Sequence, residues 1–265
     1  SDLTPEQAIH SSIAALALEA GVSEPTVNRF CRSLETRGFP DFKLHLAQSL
    51  AHGTLYVNRN VDEDDSVESY TGKIFESAMA SLDQVHHSLD MSAVNRAVDL
   101  LTQAKKIAFF GLGSSAAVAH DAMNKFFRFN VPVIYSDDIV LQRMSCMNCD
   151  DDDVVVIISH TGRTKSLVEL AQLARENDAM VIALTSAGTP LAREATLAIT
   201  LDVPEDTDIY MPMVSRLAQL TVIDVLATGF TLRRGAKFRD NLKRVKEALK
   251  ESRFDKEPFV PSDNQ

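Results

Sequence analysis

Cysteine is scarce in this chain, a basic excess is missing, and no apolar run is long enough to cross a bilayer. Each absence removes a class of protein. Three cysteines, Cys31, Cys146 and Cys149, with no secretory leader pattern, fit a reducing compartment and a cytoplasmic location, and no membrane is expected as a partner. A formal net charge of −10 excludes a protein coated in basic surface, so any nucleic-acid contact must be local. The pattern G-x-x-x-x-G-K-[S/T] does not occur, which disfavours a nucleoside triphosphatase. Cys146-Met147-Asn148-Cys149 has C-x-x-C spacing, but a structural zinc site wants two more ligands and Cys31 lies in another zone of the chain. A redox pair would stand at a helix start after a strand, whereas this pair precedes a strand. Neither a metal nor a cofactor is expected.

What is there fills 265 residues, 45% of them hydrophobic, enough for one large or two small domains. The patterning divides the chain into residues 1–53, 54–104, 105–252 and a flexible tail, 253–265. The first zone opens on Ser1 rather than Met, close to a helix signal, and is expected to be short at its N-terminus. Ser12 can cap a helix with Ile13, Leu16, Ala17 and Ala20 on one face. Gly21 supplies a turn and Ser23 caps a second helix, whose apolar Val27, Phe30, Cys31 and Leu34 are expected to face inward. Thr26, Asn28, Arg29, Arg32 and Ser33 occupy the other face. Two short helices about a tight glycine turn, the second one polar, make a helix-turn-helix pattern that would bind operator DNA. An ordinary αα-hairpin fits the same spacing. Residues 1–52 hold four basic and six acidic side chains, but the bases cluster on or just after the second helix, where phosphates and base edges would be met. Such a module binds weakly alone, which implies a homodimer or homotetramer.

A polar, acidic linker, VNRNVDEDDSVESY, leads into two helical stretches ending near Ala104. His86 and His87, being adjacent, point about 100° apart on a helix and are expected to be solvated rather than to chelate one ion. From Lys106 the period changes. KIAFFG, VPVIYS, DVVVIIS, MVIALTS and LAITLDV are five apolar β-runs alternating with helix patterns, which predicts a five-stranded parallel, doubly wound α/β sheet of flavodoxin-like order covered on both faces. Two closing helices follow, MVSRLAQLTVIDVLATGFTLRRG and FRDNLKRVKEALKE, and the tail from Pro258 is expected to be disordered.

Chemistry can sit in two loops. The first strand ends in GLGSSA, where Gly111, Gly113 and Ala116 satisfy G-x-G-x-x-[G/A]; Asp137 and Asp138 follow the second strand, where a dinucleotide fold keeps its ribose-binding acid. An NAD-binding enzyme is therefore one reading, and a plain strand-to-helix turn is another. The third strand spills into Ser159, His160, Thr161, Gly162, Arg163 and Thr164. In a sheet of order 2-1-3-4-5, strands 1 and 3 are neighbours across the switch point, so the two loops open onto one crevice. Ser114, Ser115, Ser159, Thr161 and Thr164 would converge there beside two helix N-termini, a setting that suits a phosphate. Glu205, Asp206 and Asp208, near the end of the last strand, either rim that crevice or form a charged loop. Asp150 to Asp153 are expected to form a solvated turn.

GLGSS with SHTGRT resembles the sugar isomerase (SIS) domain, and the helix-turn-helix followed by GFPDFKLHLAQSL resembles the N-terminal domain of RpiR-type transcriptional regulators. The resemblance covers nearly the whole chain. It implies a transcriptional regulator, a repressor of hexose and sugar-acid catabolism, and no enzyme; a phosphosugar isomerase is the alternative and would need an acid/base pair near the sugar carbons. It implies Ser115 and Ser159 as leading ligand contacts, with Ser114, Thr161 and Thr164 beside them, and a phosphorylated sugar acid, 2-keto-3-deoxy-6-phosphogluconate, as effector. His160 stands where such enzymes carry Gln or Ser and is a candidate contact for a ligand carboxylate. Helices upstream of Ser12 and a Gly near Glu35 and Thr36 are usual in the family, and this chain departs from both.

Overall fold

Ser12 sets the first helix. In the computed structural model, which describes residues 11–34, 36–43, 61–62, 64–203, 205 and 212–250, the Ser12 hydroxyl accepts the Ala15 N–H at 3.1 Å and α1 spans Ile13–Glu19. Gly21, at φ 65°, takes the left-handed turn that a side chain would strain, and α2 runs Glu24–Ser33 with Pro25 in its first turn. Ser23 stands at the N-cap, but its hydroxyl meets the Thr26 hydroxyl at 2.9 Å instead of a backbone N–H. A further helical turn at 39–43 brings Phe39 against Ala17, Val27 and Cys31, and these four make a core of their own. Two residues expected inside are not. Phe30 is 58% and Leu34 49% exposed, because this small core closes around the Val27 and Cys31 side of α2, while Leu34 ends the helix as its C-cap. Glu35 and residues 44–60, including part of the predicted linker, lie outside the described residues, as does the tail from Pro258.

The chain folds as two compact units, residues 1–77 with 208–211 and residues 78–207 with 212–265. Helix α3 spans Val67–Ser88 and so begins inside the stretch expected to be linker; α4 spans Met91–Gln103. In the larger unit, five consecutive β-branched residues, Val154 to Ile158, are each buried. They form β3 (Asp153–Ile158), and a strand apolar on both faces needs cover on both. β1 (Lys106–Gly111), β2 (Val133–Ser136), β4 (Met180–Thr185) and β5 (Leu197–Thr200) lie parallel to it in the order β2-β1-β3-β4-β5, the order the sequence predicts.

Alternation along the strands splits the core into two layers. Ile107, Phe109, Val156 and Ile158 pack on α5 (Ser114–Phe126) and α9 (Val214–Lys250). Ala108, Phe110, Val155 and Ile157 pack on α6 (Ile139–Met147) and α7 (Lys165–Glu176). The short α8 (Pro190–Glu194) precedes β5. α9 comprises the two expected closing helices, kinked at Gly235, whose φ of 75° and ψ of −166° are not helical.

Candidate ligand crevice and DNA-binding helix

Two loops leave the carboxyl ends of neighbouring strands. Gly111 is paired with Ile158 in the β1–β3 register, so Leu112 to Ser115 and Ser159 to Thr164 start at one level, on either side of the switch point. The first loop is built on close backbone approach. A Cβ at Gly111 would lie 2.6 Å from the Ser115 carbonyl oxygen, and Gly113 takes φ 58° as it turns the chain into α5. With glycine at the N-cap, no side chain caps α5. Ser115 is buried and Ser114 half-buried, and among the described residues neither hydroxyl has a hydrogen-bond partner.

The second loop is held from beneath. The buried Ser159 accepts the Gly162 N–H at its Oγ, 3.2 Å away, and this closes the turn. The His160 carbonyl oxygen accepts from the Ser186 N–H at 3.0 Å and from the Ser186 hydroxyl at 2.9 Å. Thr185 and Thr189 sit under Gly162, where a Cβ would come within 2.5 and 2.3 Å of their hydroxyl oxygens. His160 Nε2 lies 3.4 Å from the Glu205 carbonyl oxygen and donates to it in the tautomer that carries the proton there. Thr161 Oγ1 accepts the Arg163 N–H at 3.4 Å. Thr164 stands at the N-cap of α7 yet makes no side-chain cap, and its exposed hydroxyl has no partner among the described residues. The arrangement offers hydroxyl donors and two helix starts with no side-chain cap, the donor set an oxyanion requires.

The six candidate ligand residues therefore lie on two adjacent loops, but in two conditions. Ser114, Ser115 and Thr164 are uncommitted; Ser159, His160 and Thr161 already carry part of the loop's own hydrogen bonding. Of the acids near β5, Glu205 does not offer its carboxylate to a ligand. It accepts the N–H groups of Met213, Val214 and Ser215 at 2.6, 2.8 and 3.2 Å and caps α9. Burial opposes its charge, but the Ser215 hydroxyl and those three N–H donors outweigh it and hold the carboxyl below its ordinary value. Asp206 and Asp208 lie outside the described residues. Asp138, one of the two acids of the dinucleotide reading, caps α6 through the Val140 and Leu141 N–H groups at 2.8 and 2.9 Å.

Sequence reasoning missed Thr185, Ser186, Thr189 and Gln142. Gln142 is fully buried and donates to the Ser136 and Gly111 carbonyl oxygens at 2.7 and 3.3 Å. No local spacing marks these residues; only the sheet order brings them to the loops. Cys146, in the last turn of α6, and Cys149, just beyond the helix, are free thiols, with burial pushing Cys146 up to about 12 and Cys149 upward too, so neither is a ready thiolate. His86 and His87 do not diverge as expected. Their rings lie 5.2 Å apart, and with Asp83 they bring ligand atoms within 4.8 Å of one another, since exposed χ rotations bring adjacent rings together. All three residues are exposed.

In the smaller unit, the five candidate DNA contacts sit on α2. Asn28 is partly committed: its Oδ1 accepts the Phe39 N–H at 3.1 Å. The Ser33 hydroxyl donates to the Phe30 carbonyl at 2.7 Å, and Arg29 donates to the Thr26 hydroxyl at 3.3 Å. Arg29 and Arg32 are exposed.

A family model described as "Helix-turn-helix domain, rpiR family" matches residues 3–53, and a SIS domain model matches residues 100–229. The HTH-type transcriptional regulator HexR of Escherichia coli K12 is 90% identical over 99% of this chain and 91% of its own length. This chain belongs to the RpiR family of helix-turn-helix regulators with a SIS domain. The HexR of Pseudomonas aeruginosa is 58% identical over 94% of the chain and 88% of that protein. Among solved structures, Vibrio vulnificus NanR complexed with ManNAc-6P shares the fold at a TM-score of 0.65 and 24% identity, covering 94% of this chain and 89% of that one. The protein is thus a HexR-type transcriptional regulator carrying a SIS ligand-binding domain, not an isomerase or an NAD enzyme. Among its described residues no helix is long and apolar enough to cross a membrane.

Proposed function

We propose that this RpiR-family protein is a cytoplasmic repressor of hexose and sugar-acid catabolism whose effector is 2-keto-3-deoxy-6-phosphogluconate, bound across the two loops. One observation carries the reading: the hydroxyls of Ser114, Ser115 and Thr164 stand without protein partners, among the described residues, beside the starts of α5 and α7. Amide and hydroxyl donors with two helix dipoles favour a phosphate dianion. Ser115 and Ser159 donate to the phosphate, Ser114, Thr161 and Thr164 complete the cradle, and His160 takes the sugar-acid carboxylate. Similarity to HexR supports the regulator role, and NanR, of the same fold, is complexed with ManNAc-6P in its structure. On the DNA side, Arg29 and Arg32 with Thr26, Asn28 and Ser33 enter the major groove, and a homodimer or homotetramer brings two such helices to half-sites about 34–36 Å apart.

The test is operator binding by the full-length protein at one salt concentration, with and without 2-keto-3-deoxy-6-phosphogluconate, glucose 6-phosphate and NAD. The sugar acid phosphate is expected to shift operator affinity by roughly 5- to 150-fold, a coupling of about 1–3 kcal/mol. Glucose 6-phosphate, which lacks the carboxylate, shifts it less, and NAD leaves it unchanged. Operator affinity indifferent to all three compounds, or turnover of a sugar phosphate seen by NMR, would contradict the reading.

A further inference from the structure

A fully buried amide beside the crevice has no packing rationale. Gln142 lies on α6 between Ile139 and Cys146, which belong to the apolar layer under the sheet, and a leucine or methionine there would avoid the cost of desolvating an amide. Both nearby partners are carbonyl oxygens, the Ser136 oxygen at 2.7 Å and the Gly111 oxygen at 3.3 Å, so the amide nitrogen must face them. Those carbonyls belong to the last residues of β2 and β1. The base of the clamp is itself fixed: Asp138 caps α6, its N–H donates to the Ser136 hydroxyl at 3.1 Å, and the Gln142 N–H donates to the Asp138 carbonyl at 3.0 Å. Gly111 in turn touches the first turn of α5, where an added Cβ would meet the Ser115 carbonyl carbon at 2.8 Å.

We propose that Gln142 is a positioning residue: its amide pins the carboxyl ends of β1 and β2 and thereby fixes the first ligand loop, Leu112 to Ser115, at the mouth of the crevice. The chain of contact runs from the Gln142 amide to the Gly111 carbonyl, and from the Gly111 α-carbon to the Ser115 backbone. Loss of the amide leaves the loop hanging on two glycines. Only the ligand arm of the test rests on the phosphosugar reading.

Amide hydrogen exchange of the ligand-free full chain reads the loop directly, and calorimetry with 2-keto-3-deoxy-6-phosphogluconate reads its consequence. In Gln142→Met, residues 112–116 exchange roughly tenfold faster or more while β4 and α7 keep wild-type protection, and ligand affinity falls by roughly tenfold. Gln142→Glu adds a titration. A buried carboxyl facing two carbonyl oxygens has its pKa raised, so at low pH it is protonated and its O–H replaces the amide donor. Protection at 112–116, taken relative to wild type at each pH, is then near normal in acid and falls as the pH rises. Unchanged exchange at 112–116 in Gln142→Met, or a loss spread evenly over the sheet, would overturn the proposal. Should Gln142→Met fail to fold, protection in Gln142→Glu that is flat with pH overturns it equally. A loosened loop in a protein whose wild type binds no sugar phosphate would leave the positioning role standing and remove the effector reading instead.

Discussion

The two loops of the crevice begin at the same level of adjacent strands, yet they are built in opposite ways. Ser159 to Thr164 is tied by its own serine, by Ser186 and by the Glu205 carbonyl, with Thr185 and Thr189 filling the space under Gly162. Leu112 to Ser115 contains Gly113 and follows Gly111, with a buried amide behind it and two serine hydroxyls without partners among the described residues. The second loop is largely a frame, with Thr164 left unused at its end, and the first is a pair of unused donors. A polar group already hydrogen-bonded in the free protein gains little by meeting a ligand, whereas an uncommitted donor held in place gains most of a charge-assisted bond. Similar residue types therefore stand in different conditions: the oxygens of Ser159 and Thr161 already shape the second loop, while the hydroxyls of Ser114, Ser115 and Thr164 carry none of the loops' own bonding.

Glycine substitutions break this comparison most severely. Gly162→Ala combines a left-handed backbone, φ 56°, with a Cβ 2.3 Å from Thr189 Oγ1 and 2.5 Å from Thr185 Oγ1. A loss of about 3 kcal/mol or more is expected by thermal melting. Gly113→Ala has nearly the same φ, 58°, with ψ −128°, but nothing within 4 Å of the added carbon, so about 1–3 kcal/mol of backbone strain is the whole effect. Equal melting temperatures for the two variants would remove the distinction between a packed and an open loop.

The same contrast recurs on α2. Asn28→Ala removes the acceptor for the Phe39 N–H and should destabilise the small unit by about 1–2 kcal/mol, visible as faster amide exchange at residues 36–39. Arg32→Ala leaves that exchange unchanged and weakens operator binding, with the salt slope reduced by about one. If Arg32→Ala binds operator as wild type does, α2 is not the reading helix.

A smaller effect is expected at Glu205. Its folded pKa is depressed, so its stabilisation of the α9 start is present above the unfolded value of about 4.3 and is lost as the pH falls below that value through the lower folded one. Glu205→Gln should cost about 1 kcal/mol at pH 7 and flatten the acid limb of the stability curve. An acid limb identical to wild type would show that the three N–H donors do not hold the charge.

How much of this was legible in the sequence follows from the range of the forces involved. The strands were legible because KIAFFG and DVVVII are apolar on both faces, which only a covered parallel sheet accommodates. The candidate loops were legible because the sheet order brings strands 1 and 3 together at a switch point. Their internal bonding was not, since Gln142 reaches Gly111 across 31 positions and Ser186 reaches His160 across 26. Phe30 and Leu34 misled for the opposite reason: a helical period places residues on a face but does not say whether a core exists to cover it. Glu205 was visible as an acid near β5, while its task as a cap required the start of α9 to be known in space.

The central claim, that Ser115 serves only the ligand while Ser159 serves both the ligand and its own loop, is tested most directly by calorimetric titration of Ser115→Ala and Ser159→Ala with 2-keto-3-deoxy-6-phosphogluconate, each beside its melting curve. Ser115→Ala should lose about 1.5–3 kcal/mol of binding, roughly 10- to 150-fold, with its melting temperature unchanged, because no protein hydrogen bond is broken. Ser159→Ala should lose affinity and melting temperature together, because its oxygen also closes the turn through the Gly162 N–H. Wild-type affinity in Ser115→Ala, or a fall in its stability equal to that of Ser159→Ala, would contradict the account.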